Sequence, residues 1–100
     1  MFAIEKSWEG DTVTLKITGI LNTKTSPELS KELDELEKEY KTLIFDFSEL
    51  KYLTSAGLRI LLQAEQYAED NDRQVIVRHI SQDILDIFTQ NGFIDVLTIE

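Results

Sequence analysis

Cysteine is absent from this 100-residue chain, and histidine and proline occur once each. Without cysteine there is no disulfide, no thiolate nucleophile and no cysteine-ligated zinc, which fits a reducing compartment. With His79 as its one imidazole, the chain excludes any site that needs two. Positive charge is scarce as well: ten Lys and Arg stand against nineteen Asp and Glu, a net charge of −9. Such an excess repels phosphate backbones and anionic lipid heads, so neither nucleic acid nor a membrane surface is an expected partner. Its first consequence is solubility. No apolar stretch nears the ~20 residues that span a bilayer, and Met1 to Gly10 alternate polar with apolar side chains instead of forming a secretory core. The expected setting is cytoplasmic, without membrane insertion.

What is present is the composition of a folded domain. Hydrophobic residues make up 42% and charged residues 29%, far from the signature of disorder. A chain of this length suits one hydrophobic core, so residues 1–100 are expected to form a single domain. Phe2, Ile4 and Trp8, the turn Glu9-Gly10-Asp11, and the alternating Val13, Leu15 and Ile17 predict a β-hairpin with one wetter face. Gly19 breaks that run. A polar loop, Leu21-Asn22-Thr23-Lys24-Thr25, then leads to Ser26-Pro27, with Ser26 as cap and Pro27 at the first position of a helix.

That helix carries Leu29, Leu33, Leu36 and Tyr40 as a narrow stripe, with Glu28, Lys31, Glu32, Glu35, Lys38 and Glu39 as its solvated face. Leu43 to Phe47 reads as a central strand covered on both sides, and Leu50, Tyr52 and Leu53 as part of a short loop. A second helix begins near Ser55, with Leu58, Leu61, Leu62 and Ala68 on one face, and ends at Glu69-Asp70-Asn71-Asp72. Val75 to Val77 forms the next strand. Ser81 caps a third helix carrying Ile84, Ile87 and Phe88, and Asn91-Gly92 supplies a left-handed stop before a last strand from Val96 to Ile99. The order ββαβαβαβ implies parallel crossovers with an antiparallel hairpin added, an α/β fold with a mixed sheet and helices packed against it.

Ser55, His79 and Asp46 are the residue types of a nucleophile, a base and an orienting acid. The local motif fails, because a hydrolase elbow has glycine two residues on either side of its serine and here the pair is Leu53 and Gly57. Asp70-Asn71-Asp72 opens like a calcium loop, yet Val75 stands where glycine is needed and Ser81 where a bidentate glutamate belongs. No Gly-rich phosphate cradle exists, which leaves weak nucleotide binding near Ser55 as the least favoured reading. His79 reads as a strand-end residue with a satisfied hydrogen bond. No catalytic residue, metal or cofactor is expected. Taken alone, a serine at the head of an apolar helical run is an N-cap.

The segment from Asp46-Phe47-Ser48 through Tyr52-Leu53-Thr54-Ser55-Ala56-Gly57-Leu58 resembles the signature of STAS domains, specifically the bacterial anti-sigma factor antagonists. A second family element is matched by Gly19-Ile20-Leu21-Asn22 and Thr25-Ser26-Pro27, and the C-terminal strand, helix, glycine and strand also look like the family. The resemblance implies a binding protein and not an enzyme. Its unmodified form captures an anti-sigma factor, often a serine kinase, and frees a sigma factor; phosphorylation of the serine matching Ser55 reverses this, and a serine phosphatase is a further partner.

Around that phosphoacceptor the resemblance places Asn22, Thr23, Thr54, Gly57 and Arg59 as partner-binding residues, with Thr54 as a second or alternative acceptor. Gly57 serves either close approach of a partner or a local backbone need. Asp46 is expected to order the loop that carries Ser55. Asn22 stands where many relatives have aspartate, and Thr54 where many have aspartate or serine, which lowers the local negative charge. An alternative of the same fold is a STAS subunit bound to the ATPase of a lipid-transport ABC system.

Overall fold

The computed structural model describes residues 1–36 and 40–100. Lys38 and Glu39, expected on the solvated face of the first helix, lie outside the described residues. Two strands open the fold, β1 (Ala3–Glu9) and β2 (Thr12–Leu21), paired antiparallel through a turn in which Gly10 takes φ 61°. There follow α1 (Ser26–Leu36), β3 (Thr42–Asp46), β4 (Leu50–Leu53), α2 (Ser55–Asp70), β5 (Gln74–Arg78), α3 (Gln82–Gln90), a 3₁₀ turn (Phe93–Asp95) and β6 (Thr98–Ile99). The sheet order is β1-β2-β3-β5-β6, with β4 also paired to β2.

β2 is long enough to serve two neighbours on one edge. Thr12 to Lys16 pair with β3, whereas Gly19 to Leu21 pair with β4, and β1 runs along the other edge. The successive crossovers β2-α1-β3, β3-α2-β5 and β5-α3-β6 all step in one direction, and right-handed connections then put every helix on one face. Burial agrees: Val13, Leu15 and Ile17 on the helix face are fully buried, while Thr12, Thr14, Lys16 and Thr18 on the other face are half-buried. The core beneath the helices joins these residues to Leu29, Phe45, Val77, Leu58, Leu61, Ile84 and Phe88.

Three sequence expectations change. The residues expected as a loop form β4, a strand of four residues whose exposed Lys51 and Tyr52 interrupt the alternation that marks a strand. Ser26 does not cap α1 with its hydroxyl, which donates instead to the Asn22 carbonyl at 2.6 Å. The last strand is shorter than expected, because Phe93 to Asp95 wind into a 3₁₀ turn and Val96 stays exposed. Ser81 caps α3 as expected, accepting the Ile84 amide at 3.3 Å, and Gly92 takes the left-handed conformation at φ 74°.

Candidate functional site

In a parallel sheet the strand ends and the helix starts share one edge, and both halves of the sequence signature arrive there. At the end of β2 the chain folds into a tightly wired loop. Asn22 Oδ1 accepts the amides of Lys24 and Thr25 at 2.9 and 3.1 Å. Thr25 Oγ1 accepts the Asn22 amide at 2.8 Å and donates to the Ile20 carbonyl at 2.9 Å. This is the Asx-type turn that asparagine and aspartate favour, since a short side-chain acceptor reaches backbone amides two and three residues on. The Asn22 side chain is therefore turned into its own loop, half-buried, while Thr23 and Lys24 are exposed at the tip.

The Thr54 amide donates to the Leu21 carbonyl at 3.0 Å, which ties the exit of β4 to the end of β2 and sets Ser55 beside the Asn22 loop. Thr54, with φ −104° and ψ −179°, holds the N-cap position of α2, and its carbonyl accepts the Leu58 amide at 3.0 Å. Its hydroxyl does not cap the helix. Oγ1 is buried and makes no hydrogen bond among the described residues. Ser55 is the first helical residue, not the cap, and it is exposed.

Gly57 resolves between its two expected roles. A Cβ there would come within 2.9 Å of Leu21 Cγ and Cδ2 and 3.2 Å of the Leu21 carbonyl oxygen, so the residue is glycine to let α2 sit on β2. It is buried, and its close packing on Leu21 is a local backbone need. Arg59 is exposed one turn after Ser55, on the same side of the helix.

Asp46 closes β3. Its Oδ1 accepts the Ser48 amide at 2.9 Å, fixing the turn that feeds β4, and lies 3.0 Å from His79 Nδ1. Phe47 donates to the Arg78 carbonyl at 2.9 Å, so the ends of β3 and β5 are pinned together at this point. Burial alone would raise the Asp46 pKa; the Ser48 hydrogen bonds and His79 together outweigh it and hold the carboxyl below its ordinary value. His79 is thus a strand-end residue bonded to a carboxylate. Among the described residues no hydrogen bond joins it to Ser55, and no group of three or more acidic or histidine side chains is placed to hold a metal.

A sheet of this order, with an exposed hydroxyl at the head of α2, defines a STAS-type α/β domain. The chain belongs to the STAS domain family: the family model described as "Mlab, STAS domain" matches residues 4–98. Among curated proteins it is similar to the "Putative anti-sigma factor antagonist BtrV" of Bordetella bronchiseptica, 21% identical over 84 residues, which covers 83% of this chain and 72% of that one. Among solved structures it resembles an anti-sigma factor antagonist from Mycobacterium paratuberculosis, with TM-score 0.89 and 15% identity over 99% of this chain and 85% of the other. It also resembles the Bacillus cell fate determinant SpoIIAA in the phosphorylated form, with TM-score 0.77 and 18% identity over 100% of this chain and 91% of the other. Structural likeness at such identities establishes the fold. No described helix is long and apolar enough to cross a membrane.

Proposed function

We propose that this chain is an anti-sigma factor antagonist: its unmodified form binds an anti-sigma factor of the serine-kinase type and so releases a sigma factor, and phosphorylation of Ser55 ends that binding. The observation that carries the reading is the position of Ser55, exposed as the first residue of α2 while Thr54 fills the cap position. Its hydroxyl is thus free of the structural duty that serines at helix starts usually have. A phosphate there would meet the partial positive charge and open amides of a helix N-terminus, so the domain can carry the modification without unfolding. Toward a partner the same group brings roughly −1.5 to −2 charges into a contact suited to a neutral hydroxyl, and repulsion plus desolvation oppose docking. A loss of ~3 kcal/mol would weaken the complex about a hundredfold.

The enclosed Thr54 hydroxyl argues for Ser55 over Thr54 as the acceptor. Thr23 and Arg59 flank it as exposed contacts, Asn22 shapes the loop, and Asp46 steadies the turn before β4. The protein works by binding, with no reaction of its own, and a serine phosphatase would reset it. Incubation with the cognate kinase and ATP, followed by binding measurements, tests the scheme. Wild type and Ser55→Ala should bind alike, only wild type should take up phosphate, and Ser55→Asp should bind about a hundredfold more weakly. Equal binding by all three, with phosphate on another residue, refutes the switch. Copurification with the ATPase of a lipid-transport ABC system in place of an anti-sigma factor would support the alternative role within the same family.

A further inference from the structure

Among the described residues the large apolar side chains left in water are Met1, Trp8, Ile20, Tyr52 and Val96. Three of these come together at the end of β2. Ile20 of β2 pairs directly with Tyr52 of β4. On the other edge of β2 the antiparallel register ends with Ala3 opposite Thr18, two residues from Met1. The chain does come close there, since a Cβ on Gly19 would collide with the Met1 carbonyl. Met1, Ile20 and Tyr52 are 98%, 44% and 50% exposed. Ile20 lies on the helix-free face of β2, whose other members are Thr12, Thr14, Lys16 and Thr18, so along β2 the polar alternation of that face lapses at Ile20 alone.

This cluster is continuous with the Ser55 site. The Ile20 carbonyl anchors the Asn22 loop through Thr25, and Tyr52 is separated from Thr54 and Ser55 only by the buried Leu53. Three of the ten Lys and Arg lie on the segments that carry Tyr52 and the Ser55 site. Lys51 is the extra residue where the β2–β4 register shifts, Lys24 is at the loop tip, and Arg59 is one turn beyond Ser55. All three are exposed, and none has an ion-pair partner among the described residues. Glu49 is the exposed carboxylate nearest to Lys51 in the chain. With a Debye length of about 8 Å, a docked partner feels these neighbouring charges more than the distant acidic faces.

We propose that Met1, Ile20 and Tyr52 form an apolar docking ladder for the same anti-sigma factor that reads Ser55, received by an apolar spot with carboxylates placed to meet Lys24, Lys51 and Arg59. The inference rests on the functional reading above. A second copy of the chain is a poorer occupant. Two chains of net charge −9 repel each other, and three side chains fall well short of the ~800 Å² per partner that a stable complex buries. A partner that reads the Ser55 loop as well would cover more than those three alone.

Ile20→Thr and Tyr52→Thr restore the polar alternation and, at exposed positions, should leave the melting temperature unchanged. The probe is the purified kinase-type anti-sigma factor that phosphorylates Ser55. Each Thr variant should bind it at least about tenfold more weakly. Lys51→Glu should also weaken binding, and should flatten its dependence on NaCl. Equal affinity of wild type and both Thr variants overturns the ladder and leaves the Ser55 switch standing. If no kinase-type anti-sigma factor binds the wild-type protein, the functional reading fails and the ladder with it. Sedimentation of the protein alone covers the remaining occupant: a dimer that Ile20→Thr dissociates would overturn the proposal.

Discussion

Asp46 shows how much one carboxylate can organise at the end of a sheet. It holds the Ser48 amide and the His79 ring at once, and so links the exit of β3, the approach to β4 and the exit of β5. Because its folded-state pKa is lowered, the stability it supplies is present at pH values above the ordinary carboxylate range and is lost as pH falls through the depressed pKa. Asp46→Asn should therefore destabilise the protein by about 1–2 kcal/mol near neutral pH, from the weakened charge-assisted bonds. Thermal melts of both proteins should converge as the pH falls through the lowered Asp46 pKa, because the wild-type carboxyl then becomes protonated too. A gap that stays constant across that fall would show that the charge is not what matters. Glu65 on α2 behaves oppositely: burial, with the nearby Glu69, raises its pKa, and one of its oxygens has no hydrogen bond among the described residues.

Among the elements, α2 and β4 act as a unit. The helix must approach the end of β2 closely for the Thr54–Leu21 hydrogen bond to form, and Gly57 is the residue that permits it. Gly57→Ala gains up to about 1 kcal/mol of helix propensity, yet forces a methyl group onto the fully buried Leu21. A net loss of about 1–2 kcal/mol is expected, since overpacking in a well-filled site outweighs propensity. Denaturant melts measure this, and amide exchange at Lys24 and Thr25 should speed up as the loop beside Leu21 shifts. Unchanged stability and exchange would mean that Leu21 yields freely. β4 itself was hidden in the sequence, because four residues with a register shift give no periodicity to read.

On the scale of the whole molecule, buried apolar residues from every helix and from the helix-covered face of strands β2 to β5 belong to one connected core. Ile44 and Ile76, buried on the other face of the sheet, stand outside it. Leu58, 2% exposed, sits in it directly above the site. Leu58→Asp would bury an unpaired charge at a cost of several kcal/mol, comparable with the ~5–15 kcal/mol that holds a domain together. The expected result is loss of the cooperative melt and of near-ultraviolet circular dichroism at 25 °C. A wild-type melting profile would contradict the packing. Net charge of −9 spread over the surface leaves this core untouched, which is why acidity spoke to partners and solubility rather than to fold.

Local chemistry was legible in the residue order. Alternation marked β1 and β2, the leucine spacings marked α1 and α2, Ser81 and Gly92 bounded α3, and the paired motifs pointed to the correct family before any coordinates. Such features follow from neighbours a few positions apart, where spacing and backbone preference suffice. Only the folded chain could assign the rest: β4 as a strand, Thr54 instead of Ser55 at the cap, Gly57 fitted to Leu21, Asp46 bonded to His79, and Ile20 paired with Tyr52. Each depends on which distant segment lies alongside, a choice made by the pairing register and burial of the whole sheet. No window of sequence contains that free energy.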